Sequence, residues 1–110
     1  MTFDEYQQKA LTTAISYPDP LMAKSIWAMG VAGEAGEVIE KWKKIVAYKD
    51  GVLSAEDTAE LGKELADVVW YVAVMANSLG LSFDHIMQQN LEKLASRKAR
   101  NVQKGQGDNR

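Results

Sequence analysis

Apolar residues recur every three or four positions through most of the chain, a spacing typical of amphipathic helices rather than strands. Capping and stop signals divide this pattern into four segments. They run from about Phe3 to Ile15, from Pro20 to about Tyr48, from about Ala55 to Leu79, and from Ser82 to about Ala99. The pattern therefore predicts an all-α fold of four helices with short connections.

The two central segments each carry an apolar stripe with acidic residues on or beside it. In the second segment the stripe is formed by Trp27, Val31, Val38, Trp42 and Ile45. Glu34 lies at the centre of the gap between Val31 and Val38, and Glu37 lies at its edge. In the third segment Glu64 and Asp67 are predicted to flank a stripe formed by Leu61, Leu65, Val68, Val72, Met75 and Leu79. Four carboxylates are thus expected on or near inward faces.

Two motifs supply these acids, Glu34-Ala35-Gly36-Glu37 and Glu64-Leu65-Ala66-Asp67. Each places two carboxylates about one helical turn apart on the same side. Buried charges without partners are costly, and four neighbouring acids raise one another's pKa values. A divalent cation resolves both problems, and an all-oxygen site suits Mg²⁺, with Mn²⁺ as a substitute. The alternative is a solvated face, or salt bridges with nearby lysines.

Cationic and polar residues near these acids are candidates for binding phosphate. Lys41 and Lys44 extend the face that carries Glu37, and Asn90, Lys93 and Arg97 form a polar stripe on the fourth helix. Such groups beside a metal site fit a di- or triphosphate. Both lysines also suit ordinary helix-surface pairs with acids four residues earlier.

Three further residues have a substrate-binding and a structural interpretation. Tyr71 can donate to a ligand or serve as a core tyrosine, Trp27 can stack on a base or fill the core, and Gln7 is a candidate base-reading amide.

Gly30, Gly33 and Gly36 recur every three residues inside the second helix, where each glycine costs up to about 1 kcal/mol relative to alanine. This spacing predicts the close approach of another backbone or a ligand.

Composition narrows the chemistry. The chain has 110 residues, no cysteine and one histidine, which excludes disulfides, thiol nucleophiles and Cys/His zinc sites. With 13 Lys+Arg against 15 Asp+Glu it does not resemble a polybasic nucleic-acid binder. No segment approaches the ~18 consecutive apolar residues of a membrane helix, and the N-terminus is acidic where a signal peptide would be basic. We therefore expect a cytoplasmic protein with no nucleic-acid polymer or membrane as partner.

The paired acidic motifs, with their flanking glycines and a 26-residue spacer between Glu37 and Glu64, resemble the ExxE and ExxD signature of the MazG-like all-α nucleoside triphosphate pyrophosphohydrolases. The segment from Asn90 to Arg97 is similar to the C-terminal helix of that family. The resemblance covers roughly residues 3 to 100. It implies one domain over residues 1–100, and residues 101–110 are predicted to form a flexible tail.

The resemblance implies a four-helix bundle-like protomer assembled as a dimer or a dimer of dimers. It also implies Mg²⁺-dependent cleavage of nucleoside triphosphates to the monophosphate and pyrophosphate. By motif, Glu34, Glu37, Glu64 and Asp67 become the catalytic residues and metal ligands, and one of these carboxylates deprotonates the attacking water. We further expect Trp70, Val74 and Met75, which lie off the acidic face, to be buried between subunits.

Two other hypotheses stay open at this point. One is a non-catalytic helical interaction module with a vestigial acidic cluster. The other is a related all-α enzyme that acts on deoxyuridine nucleotides or phosphoribosyl-ATP.

Overall fold

The computed structural model describes all 110 residues and contains four helices and no strand. They are α1 (Phe3–Leu11), α2 (Pro20–Lys49), α3 (Ala55–Ser78) and α4 (Phe83–Ala99). The predicted all-α class is confirmed, and the boundaries agree closely except at the end of α1. There, the predicted end at Ile15 is wrong.

The early end of α1 has a local cause. The hydroxyls of Thr12 and Thr13 donate to the carbonyl oxygens of Lys9 and Ala10, at 2.6 and 2.9 Å. The backbone N–H groups of the same two threonines donate to these same carbonyls, in tight i, i+3 bonds. The last turn is therefore closed by threonine side chains, which compete with continued helix.

Each helix begins at a residue with a capping side chain. Thr2 and Ser54 form capping boxes with Glu5 and Asp57. Asp19, followed by a proline, caps α2, and Ser82 caps α4. These polar signals are local, which is why the sequence places the starts of the helices accurately.

Helices α2 and α3 form a long antiparallel hairpin. Their connection turns at Asp50 and Gly51, which both have positive φ, of 53° and 75°. Lys49 then donates to the Asp57 carboxylate at 2.7 Å. This contact and the capping hydrogen bonds from Ser54 lower the pKa of Asp57 to about 2. The hairpin is thus fastened at its turn.

The core lies at the opposite end of this hairpin, where α1 packs on α3. Ala10, Trp27 and Val74 are buried together there. The Trp27 ring lies 5.7 Å from the Tyr17 ring and 5.8 Å from the Trp70 ring. The expectation that Val74 is buried between subunits is therefore wrong, because this side chain fills the protomer's own core. Trp70 and Met75 pack against the same cluster and stay partly exposed.

Helix α4 leaves α3 at a bend of 106° and packs on α1 and α3, but its backbone does not approach α2. Asp4 fastens the junction by accepting hydrogen bonds from the Ser82 hydroxyl and the Asp84 N–H, each at 2.9 Å. The hydrogen bond from the Asp84 backbone lowers the pKa of Asp4. The four helices therefore form an open bundle.

This openness leaves a large surface. The protomer has an accessible area of 7846 Å², compared with about 6,100 Å² expected for a compact monomer of its mass. Its radius of gyration is 16.9 Å, compared with about 13 Å for a compact domain of this length. Exposed apolar side chains line both central helices, including Met22, Met29, Ile39, Trp42, Val46, Leu65, Val69 and Leu79.

No single helix has the length and hydropathy that a membrane span requires, and α3 and α4 reach that threshold only as a pair bent at their junction.

One glycine of α2 is required by packing. A Cβ atom at Gly30 would overlap the ring of Tyr71, whereas one at Gly33, Gly36 or Gly62 would meet open space. Close packing does occur at Gly30, but the predicted partner, another backbone or a ligand, is wrong, because the approaching group is the Tyr71 ring. At Gly33 and Gly36 the protomer contains no such neighbour.

We predict that Gly30→Ala lowers the free energy of unfolding by roughly 1–3 kcal/mol, because the Tyr71 ring must move. Gly62→Ala is the matched control and should raise it by up to about 1 kcal/mol, since the added methyl only favours helix. Urea unfolding at equal protein concentration, followed by circular dichroism, measures both. Equal effects of the two substitutions would contradict the tight packing at Gly30.

Candidate metal centre

The acids of α2 lie in the face that this helix turns toward α3. The buried and half-buried residues of that face are spaced by three or four positions: Trp27, Val31, Glu34, Val38, Lys41 and Ile45. Glu34 and Lys41 thus occupy positions that apolar residues would normally fill. Trp42, predicted in the apolar stripe, is 45% exposed and points elsewhere.

Four residues of the predicted α3 stripe are half-buried, namely Leu61, Val68, Val72 and Met75, but the helix is rotated somewhat from the predicted orientation. Glu64 is half-buried, while Leu65 and Leu79 are 55% and 53% exposed. The expectation that these leucines pack inward with Glu64 on their flank is wrong. The Tyr71 ring seated over Gly30 fixes the rotation of α3, and Glu64 lies two turns before Tyr71 on the same side.

The rotation brings three carboxylates together. Ligand oxygens of Glu34, Glu64 and Asp67 all lie within 4.8 Å of one another. Glu34 and Glu64 are half-buried, and Asp67 is exposed. Glu37, one turn further along α2, is exposed and lies outside this group of three. Three of the four predicted acids are thus gathered at one point of the hairpin.

The electrostatics of this acid triad, Glu34, Glu64 and Asp67, are unfavourable for a bare cluster. Burial raises the pKa of Glu34, and the negative charges of Asp67, Glu64 and Glu37 raise it further. Burial raises the pKa of Tyr6, and the nearby negative charge of Asp67 raises it further. The site therefore has excess negative charge that a cation would offset.

Lys41 supplies part of that compensation. Its ammonium nitrogen lies 3.3 Å from a Glu64 carboxylate oxygen and 3.6 Å from one of Glu60. The hydrogen bond to Glu64 is the main cause of the raised pKa of Lys41. Lys44 lies 3.7 Å from Glu40 instead and does not contact the triad.

Beyond Lys41, a cavity of about 290 Å³ opens between the two helices toward the hairpin turn. Lys41, Lys44 and Lys49 contribute to its wall, opposite Asp57 and Glu60. The cavity therefore carries charges of both signs, and Lys41 is the residue that connects it to the acid triad through Glu64.

The donor set fits a hard divalent cation. All three groups offer carboxylate oxygens, the ligands that Mg²⁺ and Mn²⁺ prefer, and they converge without a partner for every negative charge. Burial raises the pKa of Glu34 and the neighbouring carboxylates raise it further, and a bound cation would offset those neighbouring charges.

Several predicted substrate residues have structural contacts instead. Gln7 is buried, and its amide nitrogen donates to the carbonyl oxygens of Ala73 and Leu81 at 3.0 and 3.1 Å. Trp27 is 8% exposed and lies within the aromatic core. Tyr71 is half-buried, 4.9 Å from the Trp70 ring centroid. These contacts fasten α1 and α2 to α3.

The polar stripe of α4 is not brought to the acid triad within the protomer. Asn90 is exposed, while Lys93 and Arg97 pair with the Asp108 carboxylate at 2.8 and 3.1 Å. Asp108 belongs to residues 101–110, which form turns against α4. The flexibility predicted for this segment stays a prediction.

Sequence reasoning missed Glu60, Tyr6 and Asp108. Glu60 lies one turn before Glu64, so the helical spacing carried a signal for it. Tyr6 and Asp108 come from other parts of the chain, and no local pattern connects them to the residues they approach.

Comparison of the sequence with known proteins identifies the family of the chain. Residues 24–102 match the family model of the MazG nucleotide pyrophosphohydrolase domain. The chain is also 48% identical to Gene 37 protein of Mycobacterium phage L5 over 115 aligned positions, which cover all of both chains. No solved structure matches the chain significantly. The matched residues include both acidic motifs, and the chain belongs to the MazG nucleotide pyrophosphohydrolase family.

Proposed function

We propose that this protein is a Mg²⁺-dependent nucleoside triphosphate pyrophosphohydrolase that releases pyrophosphate and leaves a nucleoside monophosphate. The observation that carries the proposal is the convergence of Glu34, Glu64 and Asp67 in a chain of this family. A role in clearing unwanted nucleotides from the pool is consistent with that reaction.

The acid triad would hold the metal. When bound, Mg²⁺ lowers the pKa of a coordinated water and offsets negative charge on phosphate oxygens. Glu37 lies one turn beyond the triad and is exposed, so its carboxylate is free to join the ligands or to accept the proton of the attacking water. Water adds to one phosphorus, the P–O bond between the α- and β-phosphates breaks, and the bridging oxygen leaves with one product.

The recess beyond Lys41 would receive the phosphate chain. Lys41 already lies beside Glu64, and Lys44 shares the cavity wall. Their ammonium groups would stabilise the charge that develops on the departing pyrophosphate. Asn90, Lys93 and Arg97 would contact the substrate from another protomer, and Lys93 and Arg97 would do so only after release of Asp108.

Assembly into a homodimer or homotetramer is part of the proposal. The open protomer leaves apolar side chains exposed along both central helices. Pairing of such faces is the usual way to bury them, and contiguous exposed apolar surface of this kind marks interaction sites.

We predict pyrophosphate release when the protein is incubated with Mg²⁺ and a panel of ribonucleoside and deoxynucleoside triphosphates. Deoxyuridine triphosphate and phosphoribosyl-ATP belong in the panel because they separate the related activities. Orthophosphate as the first product would contradict the proposed cleavage between the α- and β-phosphates. No product from any substrate would contradict the proposal and favour a non-catalytic module.

A substitution in the motif Glu34-Ala35-Gly36-Glu37 tests the assignment of the catalytic carboxylates. Glu37→Gln should lower kcat by at least about a hundredfold, since one carboxylate of the catalytic set is neutralised. Glu56→Gln makes the same chemical change at an exposed position of α3 outside the site. It should retain full activity, with unchanged helical circular dichroism in both variants. Comparable losses in the two variants would count against the assignment.

Stability reports on the metal site independently of turnover. Because the pKa of Glu34 is raised in the folded protein, its contribution to stability is present below about pH 4.5 and is lost as the pH rises through the folded-state pKa. Without metal, Glu34→Gln should therefore gain stability relative to the parent protein as the pH rises from 4 to 7, a window set from the usual carboxyl range.

Added Mg²⁺ should make the parent protein more stable than Glu34→Gln. A cation at a hundred times its dissociation constant stabilises the folded state by about 2.7 kcal/mol. The parent protein should gain this stability, and Glu34→Gln should gain much less. Urea unfolding with and without Mg²⁺ measures both effects, and an equal response of the two proteins would contradict a metal site at Glu34.

We also predict a mass of at least twice the 12.2 kDa protomer by light scattering at micromolar concentration. A stable monomer would contradict the proposed assembly, although it would leave the metal-site predictions intact.

A further inference from the structure

The segment of residues 101–110 lies against α4 and places one carboxylate on the helix's two inner cations. Asp108 Oδ1 accepts from Lys93 Nζ at 2.8 Å and from Arg97 Nη2 at 3.1 Å. Both cations lower the pKa of Asp108. The Asp108 carboxylate thus accepts hydrogen bonds from two cationic donors that together could bind another anion.

Arg97 is unusually buried for an arginine, with only 5% of its surface exposed. Its Nη2 also donates to the backbone carbonyl of Asp108, so both hydrogen bonds of its guanidinium go to one residue. Its Nε is buried without a hydrogen-bond partner. Arg97 does not line the cavity beside this segment, so its unused donor can bind an anionic oxygen only if the residues that bury it move.

The segment is held in this position by its own contacts. Arg110 donates to the carbonyl oxygens of Val102, Gln103 and Gly107, and Arg100 donates to the carbonyl oxygen of Arg110. Gly107, with a φ of 81°, makes the turn that immediately precedes Asp108. The position of Asp108 is therefore determined by a closed loop.

There is room for a ligand beside this loop. A cavity of about 310 Å³ is lined by Asn90, Lys93 and Asp108 together with Ile86, Met87 and Gln89. The Asp108 side chain is 77% exposed, although its partner Arg97 is buried. An exposed carboxylate is a weak competitor that a multiply charged ligand can replace.

We propose that Asp108 is an intramolecular competitor for the anion-binding position of α4, and that the loop of residues 101–110 must release it before a polyphosphate chain contacts Arg97. The ligand class is a linear di- or triphosphate. The identification of that ligand as substrate rests on the proposed function, whereas the competition itself does not.

Two substitutions, each of which removes one negative charge, distinguish the competition by Asp108 from an effect of net charge. Asp108→Asn removes the competing carboxylate. Asp50→Asn is the matched control, because Asp50 lies at the hairpin turn with no ion pair and because asparagine tolerates its positive φ. Both are made in the full-length chain, and circular dichroism checks their helical content.

The first measurement is calorimetric binding of inorganic tripolyphosphate in metal-free buffer. Asp108→Asn should bind about three- to fivefold more tightly than the parent protein, and Asp50→Asn should match the parent. Asp108→Glu, which keeps the charge, should return toward the parent affinity. Lys93→Gln combined with Asp108→Asn should lose the gain. Equal affinity of Asp108→Asn and Asp50→Asn would overturn the proposal.

The second measurement is steady-state hydrolysis. Asp108→Asn should lower KM for the nucleotide by a similar factor with little change in kcat. If no nucleotide is hydrolysed, the proposed function fails while the tripolyphosphate result still decides the competition. If hydrolysis proceeds and neither KM nor tripolyphosphate affinity responds to Asp108→Asn, the competition is wrong and the proposed function stands.

Discussion

The contact between the Tyr71 ring and the α2 backbone at Gly30 sets how the two long helices face each other. Only a residue without a Cβ atom allows the ring to lie there. That contact fixes the rotation of α3, which in turn directs Glu64 toward Glu34. The acid triad therefore depends on an apolar contact two helical turns away, and not on any attraction among the acids themselves.

The carboxylates of the triad repel one another, and the apolar packing of the hairpin must overcome this repulsion. Burial and three neighbouring charges raise the pKa of Glu34, and Lys41 offsets only part of the excess through Glu64 and Glu60. Such strain is common where side chains are arranged for a ligand rather than for stability. The aromatic core around Trp27 and the contact at the hairpin turn hold the helices on either side of the triad.

The sequence carried enough information to predict the helices and the acids, because both depend on local spacing and capping. It predicted Glu34 correctly on an inward face, since its position relative to Val31 and Val38 is fixed within one helix. It failed on the rotation of α3, where Leu65 and Leu79 seemed equally suited to the interior. That choice depends on Tyr71 meeting Gly30, which is a contact between helices. Asp108 was unpredictable for the same reason, since its partners lie on another element.

The turn at Asp50 and Gly51 has a consequence for how this site forms. All three triad residues come from one hairpin, but Glu34 lies 30 residues before Glu64 and 33 before Asp67, so the two helices must align along much of their length before the acids meet. Such non-local contacts require loop-closure entropy to be lost before they stabilise the fold. The three candidate metal ligands thus lie in a single structural unit. Helices α1 and α4 pack at one end of that unit and contribute no carboxylate to the triad.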